Sequence, residues 1–256
     1  MDDLVRLAVD ELRESDYAIA LTGAGISTES CIPDYRGPEG IWTKNPEAER
    51  RAYESFRVFT SDPARYWKEG YGHHALHDLF LKAVPNKGHM AIRSMEEHKL
   101  LKMTITQNID NLHAKAGTKK LIEYHGNALK LRCIDCNSRY PIEEYNAPIP
   151  ICGKCGKILK SDVVNFGEPI PPDVMNKSYE EVKKCDLMLI CGTSALVHPF
   201  ASLPYLYKDI KGDKAKIIEI NIAPTPITKE GLTDIFILGK TGIVLPKIND
   251  IIKKYI

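Results

Sequence analysis

Four cysteines within one short stretch of the chain limit how that stretch can fold. They stand as two Cys-x-x-Cys pairs, Cys133 with Cys136 and Cys152 with Cys155. Each pair presents two thiolates on a tight turn, which suits one tetrahedral Zn²⁺ ion. Four thiolates leave no position for water, so we expect a structural zinc rather than a catalytic one. Two alternatives are four unliganded cysteines and a zinc ribbon that contacts nucleic acid, although the mixed charges around the pairs argue against the ribbon.

The composition places the chain among ordinary globular enzymes. A net charge of +1 over 256 residues argues against a constitutive nucleic-acid binder, so we expect no direct binding to nucleic acid. The three remaining cysteines, Cys31, Cys185 and Cys191, are an odd number, which fits a reducing compartment better than a disulfide framework. The acidic first residues do not resemble a secretory signal, and no apolar run approaches the roughly 20 residues of a membrane span. We therefore expect a cytoplasmic protein without a membrane segment.

Short apolar strands alternate with helical patterns along most of the chain. The expected strands are Tyr17–Leu21, Met103–Thr106, Leu187–Cys191, Ile217–Ile220 and Ile235–Leu238. This alternation predicts an α/β fold with a Rossmann-type, doubly wound parallel sheet. Two regions break the rhythm and are expected to be a helical insertion and a smaller zinc-binding module. The predicted division is a nucleotide-binding core at 1–37, 83–127 and 161–256, the helical insertion with the end of a cofactor loop at 38–82, and the zinc module at 128–160.

A glycine turn follows the first expected strand. Gly23 and Gly25 stand where a backbone could approach a pyrophosphate at the start of a helix. The usual fingerprint has a third glycine, but this chain has Thr28 at that position. A strand-to-helix turn without a ligand is the alternative interpretation.

Polar residues follow several of the other expected strands. They are Gln107–Asp110, Gly192–Ser194 and Asn221. Ligands bind at the carboxyl ends of strands in open α/β sheets, so these loops could form one crevice. Asn108 and Asp110 could equally cap a helix. His125 could be a general base or a structural histidine, and the residues alone leave both possibilities open.

The motifs together resemble the sirtuin family of NAD-dependent protein deacylases. The resemblance covers residues from about 18 to 241 and rests on ordered matches besides the cysteines. They are Gly-Ala-Gly-Ile-Ser-Thr-Glu-Ser at 23–30, Ile-Pro-Asp-Tyr-Arg-Gly at 32–37, Thr-Gln-Asn-Ile-Asp-Asn-Leu-His at 106–113, Glu-Tyr-His-Gly at 123–126, Val-Asn-Phe-Gly-Glu at 164–168, Gly-Thr-Ser at 192–194 and Asn-Ile-Ala-Pro-Thr at 221–225.

The resemblance implies a role for each matching residue. NAD would be the co-substrate. The residues that would bind its pyrophosphate and form the protein's mobile cofactor loop are Gly23, Ala24, Gly25, Ser27, Thr28, Asp34, Tyr35 and Arg36. The nicotinamide and its ribose would contact Gln107, Asn108, Ile109 and Asp110. The other phosphate and adenosine contacts would come from Gly192, Thr193, Ser194, Asn221, Ile222, Lys240 and Thr241. An acylated protein would add as an extended strand along Val164, Phe166, Gly167 and Glu168.

The implied reaction transfers an acetyl group from lysine to ADP-ribose. Asn108 and Asp110 would position the nicotinamide, and His125 would take a proton from a ribose hydroxyl. Residues 65–74 lack the Tyr-x-x-Arg pair of sirtuins that prefer acidic acyl groups, so acetyl or longer neutral acyl groups are expected. The alternatives are an ADP-ribosyltransferase, a non-catalytic NAD-sensing module and, least favoured, a hydride-transferring oxidoreductase.

Overall fold

A computed structural model describes residues 1–35, 37 and 40–255 of the chain. Its strands are β1 (Ala18–Thr22), β2 (Leu101–Thr106), β3 (Leu121–Glu123), β4 (Lys130–Arg132), β5 (Arg139–Pro141), β6 (Lys160–Ser161), β7 (Leu187–Cys191), β8 (Lys216–Asn221) and β9 (Ile235–Leu238). Its helices are α1 (Asp2–Glu14), α2 (Ile41–Lys44), α3 (Pro46–Ser61), α4 (Pro63–Lys68), α5 (His77–Lys82), α6 (Lys87–Glu97), α7 (Leu112–Lys115), α8 (Pro172–Lys184), α9 (Leu203–Lys211), α10 (Pro226–Lys229) and α11 (Thr241–Ile252).

Six parallel strands form the large sheet, in the order β3-β2-β1-β7-β8-β9. The chain builds outward from β1 in one direction and then from β7 in the other, so the order reverses between these two neighbours. That is the doubly wound arrangement, with a crevice at the reversal point. The predicted fold class is confirmed.

Helices cover both faces of the large sheet. Ala18 and Ala20 of β1 face a core that α1, α6 and α11 complete, whereas Ile19 and Leu21 face the opposite core under α8 and α9. All five residues of β1 are buried. Burial on both faces explains why the strand is a continuous apolar run rather than an alternating pattern.

The first crossover differs from the sequence expectation. Two short 3₁₀ turns, Ala24–Ile26 and Thr28–Ser30, follow β1 where an α-helix was expected. The chain then enters α2 to α5 before α6 returns it to β2. The first residue of α11, Thr241, lies beside this turn, and its hydroxyl donates to the Gly25 carbonyl at 3.3 Å.

A second, antiparallel sheet contains β4, β5 and β6 in the order β5-β4-β6. We call residues 130–161 the small-sheet lobe. Its apolar residues, among them Leu131 and Leu159, pack against Phe59 and Trp67 of the helical insertion. The Trp67 Nε1–H group donates to the carbonyl oxygen of Leu159 at 2.7 Å. None of the helices in the described part of the chain has both the length and the apolar character needed to cross a membrane.

Candidate functional site

A large cavity of about 1270 Å³ lies at the carboxyl ends of the parallel strands. Gln107, Gly192, Asn221 and Gly239, which end or follow β2, β7, β8 and β9, line it. Pockets for one drug-sized ligand hold about 300–1000 Å³, so this cavity has room for more than one small group. Its position at the reversal of strand order agrees with the crevice expected from the sequence.

Hydrogen bonds connect the loops that form the cavity wall. The Gly25 amide donates to the Gly192 carbonyl at 2.7 Å, and Gln107 Nε2 donates to Thr193 Oγ1 at 2.8 Å. Asn221 Nδ2 donates to the Thr193 carbonyl at 2.7 Å. A Cβ atom on Gly25 would stand 2.8 Å from the Cα atom of Gly192, so glycine is required here for the contact between two loops.

The Asn108 side chain belongs to a buried network beside the cavity. Its Nδ2 atom donates to the Gly23 carbonyl at 3.0 Å and to Ser27 Oγ at 3.1 Å. The Ser27 hydroxyl donates in turn to Asp110 Oδ2 at 2.6 Å, and Leu112 N donates to Asp110 Oδ1 at 2.8 Å. Burial raises the pKa of the Asp110 carboxyl, while the two hydrogen bonds act in the opposite direction. Both amide protons of Asn108 are used, so its side-chain oxygen is the group left for a ligand.

Two buried histidines extend this network, and the sequence did not predict their role. The Asn86 amide donates to His89 Nδ1 at 3.3 Å, which leaves the proton on Nε2, 3.4 Å from Ser27 Oγ. His113 Nε2 lies 2.9 Å from Thr22 Oγ1, and the two imidazole rings are 4.9 Å apart. Burial lowers the pKa of His89 to about 2 and that of His113 to about 4, so both rings are neutral at pH 7.

A narrow space lined by Asp110 adjoins the large cavity at Asn108 and Ile109, which border both. Its apolar walls include Ile32, Tyr35, Phe80 and Ile109. The space measures about 10 Å³, which is room for roughly one water molecule. It is therefore too small for an aromatic ring in this conformation, and a ring could enter only after the surrounding side chains moved apart.

His125 lies at the cavity wall with its orientation fixed. Its Nδ1 atom is 3.2 Å from the Gln107 carbonyl oxygen, which can only accept, so Nδ1 carries the proton and Nε2 has the free lone pair. Burial lowers the pKa of His125 to about 4. Near neutral pH the ring is consequently an unprotonated base whose tautomer is set by a backbone contact.

The segment expected to receive a peptide, Val164–Glu168, is not a β-strand. The Val164 amide donates to the His125 carbonyl at 2.8 Å, and the Glu168 amide closes a turn onto the Asn165 carbonyl at 3.0 Å. Phe166 stacks on Tyr53 with ring centroids 4.2 Å apart. The strand edge expected here for a peptide is absent in this conformation, because residues 165–168 form a turn.

The four cysteine sulfurs form a compact group of the size that zinc requires. All four Sγ atoms lie within 4.8 Å of one another, with Cys133 to Cys155 at 3.4 Å and Cys136 to Cys152 at 3.6 Å. Tetrahedral Zn–S bonds of about 2.3 Å place sulfurs about 3.8 Å apart, close to these distances. These residues would hold one Zn²⁺ ion between the two turns, and the fit supports the zinc predicted from the sequence.

Comparison with known proteins identifies the family. The family model described as "Sir2 family" matches residues 23–199, more than half of the chain. The chain belongs to the Sir2 family. The resemblance to sirtuins predicted from the sequence motifs is therefore confirmed.

Relatives and solved structures agree over nearly the whole length of this Sir2-family chain. An NAD-dependent protein deacylase of Pyrococcus furiosus is 40% identical over 250 residues, which are 95% of this chain and 96% of the relative. The structure of a Sir2 homologue in complex with ADP-ribose is 38% identical and has a TM-score of 0.82. The match covers 97% of this chain and 96% of the homologue. A Sir2 complex with a p53 peptide and NAD⁺ is 29% identical with a TM-score of 0.75, and 98% of each chain is covered.

Most of the predicted site residues surround the large cavity of this Sir2-family chain. They are Ala24, Gly25, Thr28, Asp34, Tyr35, Gln107, Asn108, Ile109, His125, Val164, Phe166, Gly167, Glu168, Gly192, Thr193, Ser194, Asn221, Ile222, Lys240 and Thr241. Three others, Gly23, Ser27 and Asp110, are not part of its wall; Ser27 and Asp110 support Asn108 from behind. Arg36 lies outside the described residues.

The cavity also contains a cation that the sequence did not predict. Arg51 of α3 lies over the Tyr71 ring at 4.1 Å, and its Nη2 atom donates to the Glu69 carbonyl at 2.7 Å. Neither contact involves a carboxylate. No short motif carries this arrangement, because Arg51 and Tyr71 come from different parts of the helical insertion and meet only in the folded chain.

Proposed function

We propose that this Sir2-family chain is an NAD-dependent protein-lysine deacetylase. It removes an acetyl group from a lysine side chain and consumes NAD and one water molecule, and the products are the free lysine, nicotinamide and O-acetyl-ADP-ribose. The observation that carries the proposal is His125, a neutral base of fixed tautomer beside the Asn108 loop and a cavity large enough for both substrates. The named relatives support the same activity.

NAD supplies a nicotinamide–ribose bond whose cleavage leaves an electrophilic ribose carbon. The chain offers several polar groups at the strand ends for the dinucleotide, among them Thr193, Ser194 and Asn221, together with the Lys240 side chain. The side-chain oxygen of Asn108 and the buried Asp110 carboxyl group offer hydrogen-bond acceptors to the N–H groups of a carboxamide. The narrow space beside Asp110 would take the nicotinamide ring once Tyr35 and its neighbours move apart.

His125 has the properties required of the base that takes a proton from a ribose hydroxyl. The Nδ1–H group is held by the Gln107 carbonyl, so the Nε2 lone pair is available for that proton. The acyl-lysine carbonyl is a weak nucleophile, and its reaction depends on close positioning in a site that excludes water. The aromatic group of Tyr35, Trp42 and Phe166 at the cavity wall would provide that exclusion.

The protein substrate would bind as an extended segment along residues 164–168. A relative holds a p53 peptide together with NAD⁺. The turn that now closes Asn165 onto Glu168 would have to open, or the peptide would pair only with residues on either side of it. Main-chain pairing of this kind gives affinity with limited dependence on the peptide sequence.

The free thiols of Cys185 and Cys191 favour a reducing compartment, so we place the reaction in the cytoplasm.

Acetyl and longer neutral acyl groups are the expected substrates, but Arg51 favours a second candidate. The Arg51 guanidinium has five N–H donors, of which one is assigned to the Glu69 carbonyl, and it is in none of the ion pairs among the described residues. A carboxylate on the acyl group could accept two of the remaining protons. Comparing acetyl, hexanoyl and succinyl peptides with the wild type and Arg51→Leu separates the candidates. Selective loss of succinyl turnover in Arg51→Leu would favour the acidic acyl group. If the variant and the wild type turn over the succinyl peptide at the same rate, neutral acyl groups are favoured.

The test of the base is the His125→Ala variant. We expect deacetylation to fall by about 10²–10⁴-fold, because one positioned proton acceptor contributes an effect of that size. NAD binding and the melting temperature should stay close to those of the wild type. His98→Ala is the matched control, since His98 is exposed at the end of α6. Undiminished turnover in His125→Ala would reject the assigned base.

A further inference from the structure

A group of charged residues with a buried centre joins the small-sheet lobe to the loop expected to receive the peptide. We define it as the ion-pair cluster; its members are Arg132, Arg139, Lys160, Asp162, Glu168 and Asp173. The Lys160 side chain is 0% exposed and that of Glu168 is 2% exposed. Burying charges is costly unless each one is paired, so such an arrangement needs a reason beyond solubility.

Every proton of the Lys160 ammonium group has an acceptor. Nζ donates to the carbonyl oxygens of Ser161 and Val163 at 2.6 Å each and pairs with Glu168 Oε2 at 3.0 Å. Two of these three acceptors, Val163 and Glu168, belong to the segment 163–168. Lys160 therefore fastens both ends of this segment to β6.

The Glu168 carboxylate is satisfied on both oxygens. Oε1 accepts from Arg132 Nη2, and Oε2 accepts from the Asn165 amide at 3.0 Å as well as pairing with Lys160. Arg132 is the residue immediately before Cys133, so the cation that holds Glu168 stands beside the cysteine group. The carboxylate consequently fixes the turn from inside and cannot contact a peptide from this position.

The same segment is attached to the base. The Val164 amide donates to the His125 carbonyl at 2.8 Å, one residue beyond the anchored carbonyl of Val163. A chain of contacts thus runs from Arg132 and Lys160 through Glu168 and Val164 to His125. Loosening the anchor at Lys160 and Glu168 should displace Val164, whereas the His125 ring keeps its own contact with the Gln107 carbonyl.

We propose that Lys160 and Arg132 are positioning residues, which hold the segment 163–168 through Glu168 so that an acyl-lysine peptide is placed against His125. The consequence for catalysis rests on the proposed function, whereas the anchoring itself does not. We expect a weakened cluster to raise KM for the peptide and to leave KM for NAD unchanged, since none of these contacts involves the strand-end loops that follow β7, β8 and β9.

The test compares two variants with a control. Glu168→Gln keeps the shape of the side chain but removes its charge, and Lys160→Met with Glu168→Gln removes one charge of each sign. Asp173→Asn is the control, because Asp173 is 50% exposed and pairs only with Arg139 in the cluster. Zinc content and melting temperature are measured for all three, so that folding is checked before any kinetics.

Hydrogen exchange of the Val164 and Asn165 amides reports the anchoring without reference to activity. We expect exchange at these amides to accelerate by at least about tenfold in the double variant, with β1 and β7 unaffected. In kinetics we expect KM for an acetyl-lysine peptide to rise on the order of tenfold, with kcat and KM for NAD within about twofold. Replacing Lys160→Met by Lys160→Arg in the double variant keeps the positive charge, so the rise in KM for the peptide should be smaller.

Three results would overturn the proposal. They are unchanged exchange at Val164 and Asn165 in a folded double variant, equal losses for peptide and NAD, and loss of zinc in both variants, which would mean that the cluster holds the lobe rather than the segment. A wild type that consumes no NAD with the peptide would reject the proposed function alone, since the exchange experiment would still decide the anchoring.

Discussion

The large parallel sheet and the small-sheet lobe are stabilised by different means. Every residue of β1 and β7 is buried, and apolar side chains on both faces form two continuous cores. In the lobe the strands have only two or three residues, and the buried set includes Arg132 and Lys160 as well as Leu131 and Leu159. The large sheet thus depends on burying apolar surface, whereas the lobe depends on four thiolates, paired charges and contacts with the insertion.

This difference implies that the two regions can fail separately. A core substitution in the sheet should lower the stability of the whole chain, because the site loops all begin at its strands. Loss of the metal should unfold the lobe first and leave the sheet hydrogen-bonded.

The largest effect is expected from Cys133→Ala. Structural zinc binding is worth about 10–16 kcal/mol in small zinc-binding peptides, and three thiolates bind the ion much less well than four. We expect zinc content to fall well below one ion per chain, and exchange protection to disappear in β4 to β6 but to persist in β1 and β7. The measurements are elemental analysis and hydrogen exchange. Cys31→Ser is the control, because Cys31 is exposed and apart from the cysteine group. Normal zinc content and melting in Cys133→Ala would reject a structural zinc.

The next effect concerns the core of the large sheet. Leu189 in β7 is 0% exposed, and Leu189→Ala should lower the free energy of unfolding by about 2–5 kcal/mol, through lost burial and the cavity left behind. Leu238→Ala at the end of β9 is the matched control, since Leu238 is 57% exposed and its truncation should cost less than about 0.5 kcal/mol. Urea unfolding measures both. Similar losses in the two variants would contradict the account of the core.

The buried histidines make the stability of the sheet region depend on pH. The pKa values of His113 and His89 are about 4 and about 2 in the folded chain, below the ordinary 6.5. As the pH falls, these histidines are protonated in the unfolded chain before they are protonated in the folded chain. Their contribution to the free energy of unfolding is therefore fully present above pH 6.5 and decreases as the pH falls towards 4. The His113 contribution is on the order of 3 kcal/mol. Melting temperatures between pH 7 and 4 should therefore fall less steeply in His113→Gln; parallel curves for variant and wild type would refute this assignment.

The smallest effect tests the contact between the insertion and the lobe. Trp67→Phe removes the donor to the Leu159 carbonyl. The free energy of unfolding of the small-sheet lobe should fall by about 1–3 kcal/mol, because a buried acceptor is left without a partner. We expect the half-time of zinc release to a chelator to shorten, with the stability of the large sheet unchanged. Unaltered zinc release would show that the lobe does not depend on this contact.

The extent to which the sequence predicts the fold follows from how local each signal is. The apolar run at 187–191 coincides with β7, because burial on both faces requires an uninterrupted apolar segment. The run at 235–238 coincides with β9, an edge strand in which only Ile235 and Ile237 are buried. The cysteine group is equally local in its spacing. The 3₁₀ turns after β1 were not predicted, since they depend on the close contact of Gly25 with Gly192, which are distant in sequence.

The site was predicted less completely than the fold. Polar residues after strands pointed to the cavity, and family motifs supplied roles for most of them. His89 carried no motif by which to connect it with Ser27, and Arg51 and Tyr71 meet only after the insertion folds. The segment 164–168 was expected as a strand edge, but its conformation is set by Lys160 and Glu168, whose pairing no local pattern reveals.

In the proposed reaction the chain couples removal of an acyl group from lysine to consumption of NAD. Mass spectrometry of the products after incubation with NAD and an acetyl-lysine peptide tests it most directly. We expect one nicotinamide and one O-acetyl-ADP-ribose for each lysine set free, and no NADH. An intact acetyl-peptide together with ADP-ribose attached to protein, or conversion of NAD to NADH, would contradict it.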